Sequence, residues 1–187
     1  MSMEASARWW VLGIVVAAIA VAAAVAVAPM FQPVGNGGTQ HVAVTIAWNS
    51  SSGGYSYYPS SIHVPAGSTV TLTITNFDPV NHTVASQFCR VNGTLDGTMW
   101  YGMGPSMMGS IGMHRGVSLP VNGVSHTFTM SGAGFHLNVP IPPAVGSSDP
   151  AVVTVTFHAP LAGMLSWQCE AMGSAGSHGM MGSFYSD

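Results

Sequence analysis

Two patterns of hydrophobic and polar residues divide this chain. Over residues 9–31 there is no charged side chain, and Val, Ala, Ile and Leu dominate up to Pro29. About 20 apolar residues span a bilayer as a helix, so this stretch predicts a transmembrane segment. From His41 the pattern becomes strict alternation, first in Val42, Val44, Ile46 and Trp48, then in Val70, Leu72 and Ile74 with threonines between them. A period of two marks strands with one buried face. Pro65-Ala66-Gly67-Ser68 forms a turn between the two, and further strands are legible over 82–88, 125–130, 152–157 and 163–169. Gly, Pro and Asn clusters separate them, with no amphipathic helix. The expected fold is all-β, a sandwich or barrel, preceded by one N-terminal transmembrane helix.

Arg8 ends the short segment 1–8, and no basic residue closely follows the apolar run. The positive-inside bias then puts residues 1–8 in the cytoplasm and the globular part outside the cell. A cleaved signal peptide competes, because Ala24-Val25-Ala26 and Ala26-Val27-Ala28 resemble small-residue cleavage sites. The apolar region of a signal peptide is about 7–15 residues, shorter than this run, and Pro29 directly follows the second site, which favours an uncleaved anchor. Residues 32–40, with Pro33, Gly35, Gly37 and Gly38, read as a flexible spacer. The domain proper is 41–187. Within it, residues 90–124 form a Gly- and Met-rich insert carrying Met99, Met103, Met107, Met108 and Met113, then His114. The insert is long enough to be functional, and it has three readings: gap-filling side chains, a docking surface for a partner, or thioether sites for Cu(I). Packing is the default among them.

Charge changes the picture most. Of 187 residues only 5% are charged, with three basic and six acidic side chains, while 48% are apolar. A basic surface for nucleic acid is excluded. Ser, Thr, Asn and Gly must solvate the exterior. In an acid medium carboxylates lose their charge while Arg and His stay positive, so a charge-poor exterior limits self-repulsion and suits an acidophile. The other reading is an extracellular, glycosylated surface, since Asn49-Ser50-Ser51 and Asn92-Gly93-Thr94 fit the acceptor pattern.

The candidate chemistry lies near the C-terminus. In Leu165-Ser166-Trp167-Gln168-Cys169 the Leu, Trp and Cys share one strand face, so the thiol points inward at the strand's end. A loop over 170–177 leads to His178, Met180 and Met181. Cys, His and Met gathered in this way form a soft-metal set. A thiolate with two imidazoles and a distant thioether is the type 1 copper arrangement, which calls for one more histidine. His82 supplies it, beginning a strand whose inward face also carries Val84, Ser86 and Phe88. A disulfide between Cys89 and Cys169 is the competing reading, and Cys89 reads instead as a buried free thiol.

The segments Tyr58-Pro59-Ser60-Ser61-Ile62-His63-Val64-Pro65-Ala66-Gly67, the Thr-alternating strand, Asn76-Phe77-Asp78-Pro79-Val80-Asn81-His82, and Val155-Thr156-Phe157-His158-Ala159-Pro160 running to Trp167-Gln168-Cys169 together resemble the cupredoxin superfamily. Within it the chain resembles membrane-anchored archaeal sulfocyanins and the copper domain of cytochrome oxidase subunit II. The resemblance implies a Greek-key sandwich or barrel holding one copper ion through His82, Cys169, His178 and Met181. Met181 fits the subunit II pattern, with Met172 and Met180 as alternative axial ligands. That family's dinuclear site needs a second cysteine four residues on, where this chain has Gly173. A mononuclear centre follows. His41, His63, His114, His126, His136 and His158 each read individually as ordinary histidines.

The expected function is electron transfer by a membrane-tethered, extracytoplasmic copper protein of a respiratory chain, with a donor complex or terminal oxidase as partner. No catalytic triad, phosphate loop or paired carboxylate suggests an enzyme. The alternatives are a Cu(I) chaperone or storage protein serving an oxidase, or a copper-free cupredoxin-like oxidase subunit.

Overall fold

The Thr-alternating stretch forms the middle of a sheet in the computed structural model, which describes residues 38–101, 109–113, 115–132, 134–146, 148–172 and 180–187. The expected transmembrane segment over 9–31 and His178 lie outside these residues. Among the described residues no helix is long and apolar enough to cross a membrane. The strands are β1 (Thr39–Asn49), β2 (Gly54–Tyr58), β3 (Ser61–Val64), β4 (Thr69–Asn76), β5 (Thr83–Val84), β6 (Asp96–Tyr101) and β7 (Gly109–Gly112). The remainder are β8 (His126–Gly132), β9 (Phe135–Ile141), β10 (Ala151–His158), β11 (Gly163–Gln168), β12 (Ala171–Met172) and β13 (Met181–Ser186).

Two sheets hold most of them. One has the order β2-β1-β4-β10-β6-β7, the other β3-β13-β11-β8-β9, and β12 pairs with β5 in a small third sheet. The β1/β4 and β13/β3 pairs are parallel and the rest antiparallel. Along β4, Val70, Leu72 and Ile74 are at most 1% exposed, while the opposite face carries Thr71 and Thr73, whose hydroxyls meet those of Thr156 and Thr154 across β10 at 3.4 and 3.2 Å. Apolar side chains from both sheets, among them Ile46, Leu72, Val153, Phe128, Leu137, Trp167 and Phe184, join in one core. Burying them is the main source of stability. Trp167 stacks on Phe128 with centroids 5.2 Å apart. Its ring also lies against Gly182, its register partner on β13, and a Cβ at Gly182 would fall inside the indole.

Two expectations are corrected. The strand expected over 82–88 is only two residues long, and the chain then winds into a 3-10 helix at Ser86–Cys89. Its strand partner β12 is equally short, so no ladder exists to extend it. The insert over 90–124, in which the sequence marks no strand, contributes β6 and β7 as an antiparallel pair on the edge of the first sheet, with β6 paired to β10. Met99 and Met113, at 1% and 0% exposed, enter the core. Gly97 permits this, because a Cβ there would come within 2.9 Å of the Met113 Cβ and 2.8 Å of the Thr154 carbonyl.

Candidate metal centre

The site is built on the loop that leaves β4. Asn76, fully buried, donates from Nδ2 to the Pro142 carbonyl at 2.8 Å and accepts the Asp78 amide on Oδ1 at 3.0 Å. The Asp78 carbonyl takes the Ala144 amide at 2.8 Å, and its Oδ1 takes the Val80 amide at 2.9 Å. The other carboxylate oxygen, Oδ2, is 2.9 Å from His82 Nε2 and 2.9 Å from His126 Nε2. These two rings are tilted against each other with centroids 5.1 Å apart. Asp78, His82 and His126 are all buried, and their ligand atoms lie within 4.8 Å of one another.

His126 opens β8, and its second nitrogen, Nδ1, lies 3.6 Å from the Cys169 sulfur. The same sulfur receives the backbone N–H of Thr127 at 3.5 Å. Thr127 is itself pinned: the buried Tyr57 hydroxyl donates to its carbonyl, and its side-chain oxygen accepts the Glu170 amide at 2.8 Å. Thr129 lies 2.7 Å from Asn138 Oδ1, which only accepts, so the Thr129 hydroxyl donates there and takes the Thr127 hydroxyl at 3.1 Å. Asn138 then donates to the carbonyls of Phe88 and Arg90 at 2.9 and 2.7 Å. Tyr55 packs beside the His126 ring at 5.9 Å, and the exposed Trp48 meets Tyr55 edge-on at 5.5 Å.

Electrostatics favour charge at this point. Burial alone pushes the Cys169 thiol up, but the His126 hydrogen bond and charge and the amides of Thr127 and Ala171 bring it below its usual 9.0. Burial likewise opposes protonation of His126, and the bonds and charges of Asp78 and Cys169 outweigh that and raise it above 6.5. Desolvation pushes Asp78 up, while His126, the Val80 amide and His82 hold it below 3.8. A thiol with a lowered pKa is a thiolate donor in waiting.

The expected site residues are distributed as follows. Cys169 sits at the centre. His82 turns Nε2 to Asp78 Oδ2 at 2.9 Å. Met181 is 62% exposed, whereas Met180 is 4% exposed, packs in the core cluster that Cys169 borders, and accepts the Cys169 amide on its carbonyl at 2.9 Å. The backbone of Met172 pairs with Thr83. Cys89 and Cys169 are both free thiols, so the disulfide alternative is not realised; burial raises the Cys89 pKa. His126, taken in the sequence for an ordinary histidine, stands against the thiol. The signal for it was the one used for His82: a histidine that begins a strand and shares its face with Phe128 and Met130.

No protein-family model matches the chain, and no curated protein matches it. Among solved structures it is similar to rusticyanin and auracyanin. A rusticyanin variant is 17% identical over 80% of this chain and 77% of that one, with a TM-score of 0.42. Rusticyanin from Thiobacillus ferrooxidans is 16% identical with the same coverage and score. Auracyanin A, described as a blue copper protein of Chloroflexus aurantiacus, is 16% identical over 80% of this chain and 99% of its own, with a TM-score of 0.39.

Proposed function

We propose that this chain holds one copper ion and carries single electrons. The observation behind the reading is the facing of His126 Nδ1 and Cys169 Sγ at 3.6 Å, with the Thr127 amide on the sulfur. That separation suits two donors to one first-row ion, given usual metal–nitrogen and metal–sulfur lengths of about 2.0 and 2.3 Å. A thiolate with imidazole selects copper or zinc, and a nearby buried thioether favours copper. Cys169 would supply the thiolate, His126 and His178 the imidazoles, and Met180 the weak axial contact, in place of His82 and Met181. Met180 is supported by its burial, because adjacent strand residues point to opposite faces and Met181 faces solvent. Copper supplies a one-electron couple between its two oxidation states. The chain's part is to present the same donors to both.

The charge-free run over 9–31 and the Gly-rich spacer support a domain tethered outside the membrane, with a respiratory donor complex or terminal oxidase as partner. The burial of Met99 and Met113 removes two of the methionines that a Cu(I) storage role would use.

The test is a copper titration of the full chain in detergent. One equivalent is expected to give an intense visible band that vanishes in Cys169→Ser and in His126→Gln. A colourless complex, or a band that survives in His126→Gln and is lost in His82→Gln, overturns the ligand set.

A further inference from the structure

We infer that Asp78 is a positioning residue for His126: by holding the proton on Nε2 it keeps Nδ1 as the lone-pair nitrogen that faces Cys169. Its consequence for copper rests on the function proposed above, whereas the tautomer it fixes belongs to the metal-free protein as well.

A neutral imidazole carries one N–H, and the nitrogen without it is the one that binds a metal. In the metal-free ring both tautomers are open unless a neighbour discriminates between them. Asp78 does so. When ionised, its Oδ2 can only accept, and it lies 2.9 Å from His126 Nε2, so that nitrogen is the donor. The lone pair is thereby left on Nδ1, 3.6 Å from the sulfur.

The carboxylate itself has no freedom to turn away. It is fully buried; its Oδ1 is held by the Val80 amide at 2.9 Å, its own amide by Asn76 at 3.0 Å, and its carbonyl by the Ala144 amide at 2.8 Å. His82 Nε2 lies at the same 2.9 Å from Oδ2, so two donors converge on one oxygen and both rings are turned the same way round. A carboxylate behind a ligand histidine also raises the basicity of the ligating nitrogen, and removing such a partner typically lowers metal affinity about 10- to 100-fold.

An amide in place of this carboxylate reverses the polarity. In Asp78→Asn the carbonyl oxygen keeps the Val80 amide, and the NH2 group takes the place of Oδ2 with one hydrogen for each histidine. Both Nε2 atoms must then accept, which moves the His126 proton to Nδ1 and aims a donor at the metal position. The opposite amide rotamer would set NH2 against the Val80 N–H, two donors face to face.

The experiment reads imidazole nitrogen and proton shifts by NMR in the metal-free full chain, at a pH where the His126 ring is neutral, alongside Cu(I) affinity by competition with a chelator. Wild type is expected to show His126 protonated on Nε2. Asp78→Asn is expected to show it protonated on Nδ1, with affinity down about 10- to 100-fold. Wild-type protein with the proton on Nδ1, or Asp78→Asn with an unchanged tautomer, overturns the inference. The wild-type spectrum decides even when the variant does not fold. Failure of the wild type to bind copper overturns the function proposed above and leaves the tautomer to be judged on its own spectrum.

Discussion

The backbone N–H of Thr127 donates to the Cys169 sulfur across 3.5 Å, joining the start of β8 to the residue just past β11. Because Thr127 follows His126 directly, the same stretch of backbone sets both the amide and the imidazole against the thiol. The separation of ring nitrogen and sulfur is thus fixed by main-chain geometry, and Tyr57, Glu170 and Thr129 hold that main chain in place.

Thr127→Val keeps the amide and the shape while deleting the hydroxyl that accepts the Glu170 N–H. The Glu170 amide is only partly buried, so losing its partner costs about 1 kcal/mol, the low end of the range for a buried donor. Urea unfolding of the metal-free variant is expected to show a loss of that size, with the copper band retained on loading. A lost band would mean that the hydroxyl, and not the amide, supports the site.

Met180 and Met181 are told apart by potential. A thioether binds weakly and tunes, so Met180→Leu is expected to keep the visible band and raise the reduction potential. Met181→Leu, altering a side chain that faces solvent, is expected to leave the potential near the wild-type value. Redox titration of the two variants checks this, and the reverse pattern returns the axial role to Met181.

Met99 and Met113 lie in the core. Each Met→Ala variant is expected to lose about 2–5 kcal/mol of stability, the usual range for emptying such a position. The copper stoichiometry is expected to stay at one. Lower stoichiometry with unchanged stability would make these methionines metal ligands.

The metal-free Asp78–His126 pair gives stability a pH window. Asp78 has its pKa lowered by folding, so its contribution is full above 3.8 and is lost as pH falls through the depressed value. His126 has its pKa raised, so its contribution is full below 6.5 and is lost as pH rises through the elevated value. Cys169, whose pKa folding lowers from 9.0, gains stability with rising pH and runs against the His126 loss, so the clear flank is the acid one: the urea midpoint of metal-free protein is expected to fall below 3.8. Asp78→Asn is expected to flatten that flank. A midpoint of Asp78→Asn that falls below 3.8 as steeply as the wild type's would contradict the pairing.

Much of the sheet was legible in the sequence because burial on one face writes itself as alternation: β1, β4, β10 and β11 lie where Val, Leu, Ile, Phe and Trp recur at every second position. The pair of β6 and β7 was not, since Asp96-Gly97-Thr98 carries no apolar alternation and its register depends on space left by a missing side chain. The strand-end position of Cys169 was legible. The approach of His126 Nδ1 to its sulfur was not, because it depends on sheet order, in which β8 lies beside β11. Pairing between segments distant in sequence leaves no mark in the local pattern.

Gly182 bears on how the domain would handle charge. With no side chain there, β13 lies flush on the Trp167 ring, one step along the ladder from Gln168 and Met181 and two from the bond between the Cys169 amide and the Met180 carbonyl. Packed cores resist deformation, so the segments presenting sulfur and thioether are braced before any ion arrives. For a carrier of single electrons, speed depends on how little the surroundings must rearrange when charge comes and goes. On the function proposed above, a position defined by the absence of a side chain would thereby bear on rate, acting through stiffness rather than through any contact with a metal.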